Sequence, residues 1–182
     1  MHQFEIERFV PLNLLGYDIS FTNSSLWMLI GVGTVAGFLI LSMRGRSLVP
    51  TRMQSMAEIV YEFVADTVRS TCGEHGMKYF PIIFTLFSFI LISNLLGLLP
   101  KSFTVTSHII VTLALAVGVF LFVTFLGFKE NGIGYLKMFV PSGVPALLLP
   151  LIVLIEVVSY LMRPISLSVR LFANMLAGHV LL

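Results

Sequence analysis

Long apolar blocks alternate with short polar segments along this chain. The first block, 26–43, carries no charged side chain, and Trp27 stands near its start, where an interfacial aromatic residue is expected. Two further blocks, 79–99 and 107–128, contain no Asp, Glu, Lys or Arg. Because a spanning helix needs about 20 mostly apolar residues, the pattern predicts three transmembrane helices at these positions.

Residues 51–72 show a different pattern, in which apolar side chains recur at helical spacing and charged side chains fill the remaining faces. Thr51 followed three residues later by Gln54 predicts a capping box at the start of this segment, and Gly73 predicts its end. We expect an amphipathic helix that lies in the membrane interface. Packing of this helix against a partner is the alternative interpretation.

The last block, 143–182, is again apolar and predicts a long, tilted intramembrane helix. Together with an N-terminal segment at 1–25, these elements predict an all-α integral membrane protein with a single membrane domain over 1–182. No cleavable signal peptide is recognisable at the N-terminus. The chain stops at Leu182 inside an apolar run, so we expect the complete protein to continue beyond it.

Composition agrees with a bilayer environment, since 57% of the residues are hydrophobic and only 11% are charged, against about 25% charged residues in soluble domains. The net charge of +2 is too small to indicate a nucleic-acid partner. With Cys72 as the single cysteine, no intramolecular disulfide is possible. We expect no metal site and no cofactor, because no His/Cys group has zinc-ligand spacing.

Most basic residues fall on one side of the three predicted spans, and this asymmetry assigns that side to the cytoplasm or the mitochondrial matrix. The final helix starts on that side and runs outward. Polar residues within it are expensive in a membrane and are functional candidates by default. At about 100° per residue, six of them lie within about 40° of one line along the helix. This polar stripe consists of Glu156, Ser159, Arg163, Ser166, Arg170 and Asn174.

Depth separates the ionisable groups of this helix. At 1.5 Å per residue, Glu156 lies about 21 Å toward the inner side of Arg170, and His179 lies about 13 Å toward the outer side. His179 also falls about 180° around the helix from Arg170. Two protonatable groups on either side of a fixed positive charge suit two partial proton paths that do not meet. Purely structural roles for the single residues, such as an ion pair between Glu156 and Arg163, are the alternative.

The run from Ser166 to His179, SLSVRLFANMLAGH, resembles the signature of subunit a of the rotary ATP synthases. Glu156 followed by Arg163-Pro164 fits the same family pattern, as does the segment SNLLGLLP at 93–100. The similarity extends over most of the chain from about residue 50. Histidine at position 179, where some bacterial members have glutamate, resembles the alphaproteobacterial and mitochondrial branch.

The resemblance implies a stationary, non-catalytic subunit beside a rotating ring of c subunits, in a bacterial or mitochondrial inner membrane. Each ring subunit would bring a carboxylate past the essential arginine, which matches Arg170, while Glu156, Asn174 and His179 match half-channel positions. The resemblance also implies peripheral-stalk b subunits and, indirectly, a catalytic ATPase head as partners. Two other classes remain open on the residues alone: a secondary transporter whose Arg170 binds an anionic substrate, and a membrane-embedded enzyme.

Overall fold

The computed structural model describes residues 8–10, 13–14, 17–18, 21–45, 48–98 and 108–181. Within them, five α-helices carry the fold: α1 Asn23–Met43, α2 Arg52–Cys72, α3 Phe80–Gly97, α4 Ile109–Asn131 and α5 Leu149–Leu181. Two 3-10 segments, Glu74–Tyr79 and Gly132–Phe139, precede α3 and follow α4. The predicted all-α class is confirmed.

Four very short strands precede α1. Strand β1, Arg8–Val10, pairs antiparallel with β4, Phe21–Thr22. Between them, β2, Asn13–Leu14, pairs antiparallel with β3, Tyr17–Asp18. At two or three residues each, these strands add a local N-terminal feature and leave the helical class unchanged.

Four of the helical segments are long and apolar enough to cross a membrane: Ser24–Met43, Glu74–Gly97, Ile109–Phe139 and Leu149–Gly178. They contain α1, α3, α4 and α5, whereas α2 is absent from this set. The chain is therefore a multi-pass integral membrane protein in which α2 differs in character from the other helices, as the charge pattern predicts.

By its internal packing the chain divides into two compact units, Met1–Val105 and Thr106–Leu182. In the first unit, α2 buries Val64, Ala65 and Val68 against Phe80 of α3. Burying a valine side chain contributes about 1.5–3 kcal/mol. Tyr61 adds an edge-on contact to the Phe80 ring at 4.7 Å between centroids. The apolar face of the amphipathic helix is thus used to hold α2 onto α3.

Small side chains line the interior of the same unit. Ser42 of α1 and Ser88 and Ser93 of α3 are all buried. A Cβ atom added to Gly31 of α1 would lie 3.5 Å from the Ser93 hydroxyl oxygen. Small residues let apolar helices approach closely where no hydrophobic effect drives them together, and this explains how α1 packs on α3.

The ends of α2 follow the predicted signals. The Thr51 hydroxyl accepts a hydrogen bond from the backbone N–H of Gln54 at 3.4 Å. The amide of Gln54 donates instead to Glu58 at 2.8 Å, so only the first half of a capping box is recorded. Gly73 ends the helix with φ 70°, a value that favours glycine, and its N–H bonds the carbonyl of Arg69.

In the second unit, a chain of hydroxyl groups ties α5 to α4 and to the 3-10 segment. Tyr160 of α5 is 8% exposed, and its phenolic oxygen lies 2.6 Å from the Thr124 hydroxyl and 2.9 Å from that of Tyr135. Thr124 donates its own proton to the Phe120 carbonyl. Tyr160 must therefore donate to Thr124 and accept from Tyr135.

Close approach also fixes the 3-10 segment. The Tyr135 ring occupies the space that a side chain on Gly127 of α4 would need. It also packs against Phe128 at 5.1 Å between centroids. The tyrosine can reach Tyr160 only because residue 127 lacks a Cβ atom.

We expect Tyr160→Phe to lower the free energy of unfolding by about 1–3 kcal/mol, because the half-buried Thr124 oxygen and the Tyr135 proton lose their partner while the ring is retained. Tyr135→Phe removes only the hydroxyl group that donates to Tyr160, so it should lower the free energy of unfolding by less. Equilibrium unfolding in mixed detergent and SDS micelles, followed by circular dichroism, measures both. Equal losses of unfolding free energy in the two variants would contradict the proposed order of donation, from Tyr135 to Tyr160 and from Tyr160 to Thr124.

Candidate functional site

The candidate site stands on α5, an α-helix that continues without interruption from Leu149 through Pro164 to Leu181. The helix begins after the expected position 143. Gly143 has φ 97°, outside the helical region, and turns occupy the residues up to 148. Proline at position 150 lies in the first turn, where its missing N–H costs nothing.

All six members of the predicted polar stripe are exposed on the surface of the described chain. Within the described residues, no ion pair or hydrogen bond is recorded for the side chains of Glu156, Arg170 or Asn174. The described residues therefore leave these six side chains of α5 open.

A different face of α5 packs against α4. Its buried residues are Tyr160, Pro164, Ser168 and Met175, which lie about 80–160° around the helix from Arg170. Ser168 is only 2% exposed and donates to the carbonyl of Ile165 at 2.9 Å. On α4, the buried residues Thr112 and Ala116 are also small. The helix thus separates a packed face of small and aromatic residues from an open polar face.

A shallow groove of about 440 Å³ runs along the open face. Its polar lining comes from Ser159, Arg163, Ser166 and Arg170, while Met162 and Leu167 supply apolar walls. Two guanidinium groups therefore border one groove, and no acidic side chain lines it. Such a groove attracts a negatively charged or hydrogen-bond-accepting group.

Arg163 has an aromatic contact. Its guanidinium carbon lies 5.4 Å from the centroid of the Tyr160 ring, within the range of a cation–π interaction. No ion pair between Arg163 and Glu156 is recorded in the described part of the chain. The buried hydroxyl chain thus connects through the Tyr160 ring to one wall of the groove.

Tyr160 was missed by sequence reasoning, although a signal for it exists. A tyrosine within an apolar helix carries a hydroxyl that needs a partner, and position 160 precedes Arg163 by one helical turn. Its partners, Thr124 and Tyr135, lie 36 and 25 residues away in sequence. No local pattern could have identified them.

The remaining predicted residue, His179, belongs to α5 by its backbone. Its side chain lies outside the described part of the structure, so its proposed role stays a prediction. Among the described residues, no group of three His, Cys, Asp or Glu side chains is arranged to hold a metal ion.

The chain matches known proteins over nearly its whole length. The family model "ATP synthase A chain" matches residues 25–182. ATP synthase subunit a of Rhizobium meliloti (strain 1021) is 60% identical over 181 residues, which cover the whole chain and 72% of that relative. Subunit a of Chelativorans sp. (strain BNC1) is 58% identical, and that of Brucella ovis (strain ATCC 25840 / 63/290 / NCTC 10512) is 55% identical; the matches cover the whole chain and 73% of each relative. The chain is a multi-pass protein of the bacterial inner membrane, and it belongs to the ATP synthase A chain family.

Proposed function

We propose that this chain is the stationary proton-channel subunit of an ATP synthase, in which an arginine and two offset half-channels couple proton flow to ring rotation. The observation that carries the proposal is the open polar stripe on α5. Unsatisfied polar groups cost several kcal/mol each when they face lipid. The stripe therefore needs water or a polar partner, and a ring of c subunits that carry carboxylates is the partner that fits.

Arg170 is the centre of this proposal. A ring carboxylate about 4 Å from its guanidinium would be stabilised in its charged form by about 4 kcal/mol at an effective dielectric constant of 20. Each passing carboxylate would then release its proton as it reaches Arg170. The same fixed charge would keep protons from crossing directly between the two half-channels.

Glu156 and His179 would serve the two half-channels. Glu156 lies about 21 Å along the helix toward the inner side and is exposed on the stripe. His179 lies toward the outer side, on another face of the helix. Asn174, Ser159 and Ser166 would hold water along the stripe, and Arg163 would set the charge of the inner path. Peripheral-stalk b subunits would hold the chain still, and the catalytic head would be reached only indirectly.

Arg170→Ala should reduce proton-driven ATP synthesis by about two to three orders of magnitude, because about 4 kcal/mol of carboxylate stabilisation is lost. The complex should still assemble, since the Arg170 side chain makes no hydrogen bond or ion pair with the described residues. ATP synthesis in inverted membrane vesicles measures the loss. Leu167→Ala, which changes an apolar wall of the same groove that the proposed path does not use, is the matched control and should retain most activity. Normal synthesis by the Arg170→Ala complex would refute the proposal.

Glu156→Gln should slow proton transport only about three- to tenfold, because water can bridge the gap that the carboxylate leaves. The position can be probed by a cysteine at 156, labelled with a membrane-impermeant thiol reagent from the inner side. Because Cys72 is exposed, the experiment needs a Cys72→Ser background. If the cysteine at 156 is sealed from inner-side reagent in the assembled complex, Glu156 does not belong to the inner path.

His179→Ala should slow proton uptake from the outer side more than proton release to the inner side, because an imidazole exchanges protons near neutral pH. Passive proton flux through complexes stripped of the catalytic head, measured against outer pH, tests this expectation. Glu156→Gln serves as the comparison, since its effect should follow the inner pH instead. An unchanged flux and pH profile in His179→Ala would make the histidine structural.

A further inference from the structure

A cavity of about 640 Å³ lies within the first unit, between the C-terminal end of α1, the N-terminal half of α2 and the start of α3. Its polar wall consists of Ser42, Gln54, Glu58, Tyr61 and Thr85, and Phe84 is among its apolar lining. The proposed proton path uses none of these residues.

Acceptor atoms dominate the polar wall. The side-chain oxygen of Gln54 has no hydrogen-bond partner within the described residues, but it is fully buried and a ligand in the cavity cannot reach it. Glu58 brings a carboxylate, which already accepts from the Gln54 amide at 2.8 Å. Ser42 and Thr85 have each given their proton to a backbone carbonyl, so their oxygens can only accept. No Lys, Arg or His lines the cavity.

A ligand that brings hydrogen-bond donors and a positive charge therefore complements this wall, on which the Tyr61 hydroxyl can donate or accept. A cationic donor would donate a charge-assisted hydrogen bond to the Glu58 carboxylate, which is about twice as strong as a neutral one.

An apolar groove continues from this cavity. It also has about 640 Å³ and shares Leu39, Pro81 and Thr85 with the polar cavity. Val32 and Phe89 mark its far end. Phe89 lies nine residues beyond Phe80, or about 13 Å deeper along α3. The two spaces therefore form one cleft, polar near the helix ends and apolar toward the interior of the spans.

The membrane orientation places the polar end and the apolar end of this cleft at different depths in the bilayer. The polar end lies where α1 ends and α3 begins, beside the amphipathic α2, and the basic residues assign that end to the cytoplasmic side. The apolar end extends into the hydrocarbon region along two spanning helices. A lipid in the cytoplasmic leaflet has the same arrangement: its polar headgroup lies toward the cytoplasm and its acyl chains lie toward the membrane interior.

We propose that this cleft binds a phospholipid whose headgroup carries a primary ammonium group, as phosphatidylethanolamine does. The ammonium donates to the Glu58 carboxylate, and an acyl chain lies between α1 and α3. The proposal is independent of the proton path on α5, because every residue that it uses belongs to the first unit.

Phosphatidylcholine is the matched probe, since choline has the same charge but no N–H donor. The full-length protein in its complex is reconstituted with either lipid, each bearing the same photoreactive diazirine acyl chain. After irradiation, digestion and mass spectrometry, crosslinks near Leu39 and Phe84 are counted. We expect about fivefold more crosslinks from phosphatidylethanolamine, because only its headgroup can donate hydrogen bonds.

Glu58→Gln should lower the phosphatidylethanolamine yield to that of phosphatidylcholine. Glu62→Gln is the matched control: it removes an exposed carboxylate of the same helix that does not line the cavity, and its yield should be unchanged. Equal yields from the two lipids in the unaltered protein would overturn the proposal. So would the same yield in both glutamate variants, or the absence of lipid adducts near Leu39 and Phe84 while another subunit carries them.

Discussion

A guanidinium within a membrane helix must be surrounded by water or polar groups, because the charge costs at least about 2.5–3.5 kcal/mol at the centre of a bilayer. In this chain the described residues provide no such partner for Arg170, and five further polar residues share its open face. The cost is therefore met by groups other than the described residues. Under the proposed function, the open face of α5 is one half of an interface.

The packed face of α5 holds the helix in the rotation that leaves its polar face open. Small residues allow α4 and α5 to approach, and the Tyr160 hydroxyl has a fixed place between Thr124 and Tyr135. Rotation of α5 about its axis would break these hydrogen bonds, which are part-buried between α5, α4 and the 3-10 segment. Because the tyrosine also lies under the Arg163 guanidinium, the buried hydrogen bonds and the open groove share one side chain. Tyr160 therefore stabilises the packing of α5 and also helps to orient its polar face.

The sequence predicted the features that depend on local pattern. Apolar length located the spanning helices, Thr51 and Gly73 located the ends of α2, and a 3.6-residue period placed the polar side chains of α5 on one face. Features made by distant pairs could not be predicted. The partners of Tyr160 come from α4 and from the 3-10 segment, and the acceptor-rich cavity needs three helices at once. The start of α5 depended on backbone angles near Gly143 that periodicity does not encode.

The absence of an internal partner for Arg170 within the described chain also has a chemical consequence. A guanidinium that is paired with a carboxylate of its own chain would be neutralised by a bond that persists at every stage of a cycle. A passing carboxylate would then have to displace that bond and would gain little from the exchange. An unpaired guanidinium keeps its full field for the incoming group. An exposed, unpartnered arginine on a rigid helix is therefore better suited to a succession of moving carboxylates than a buried ion pair would be.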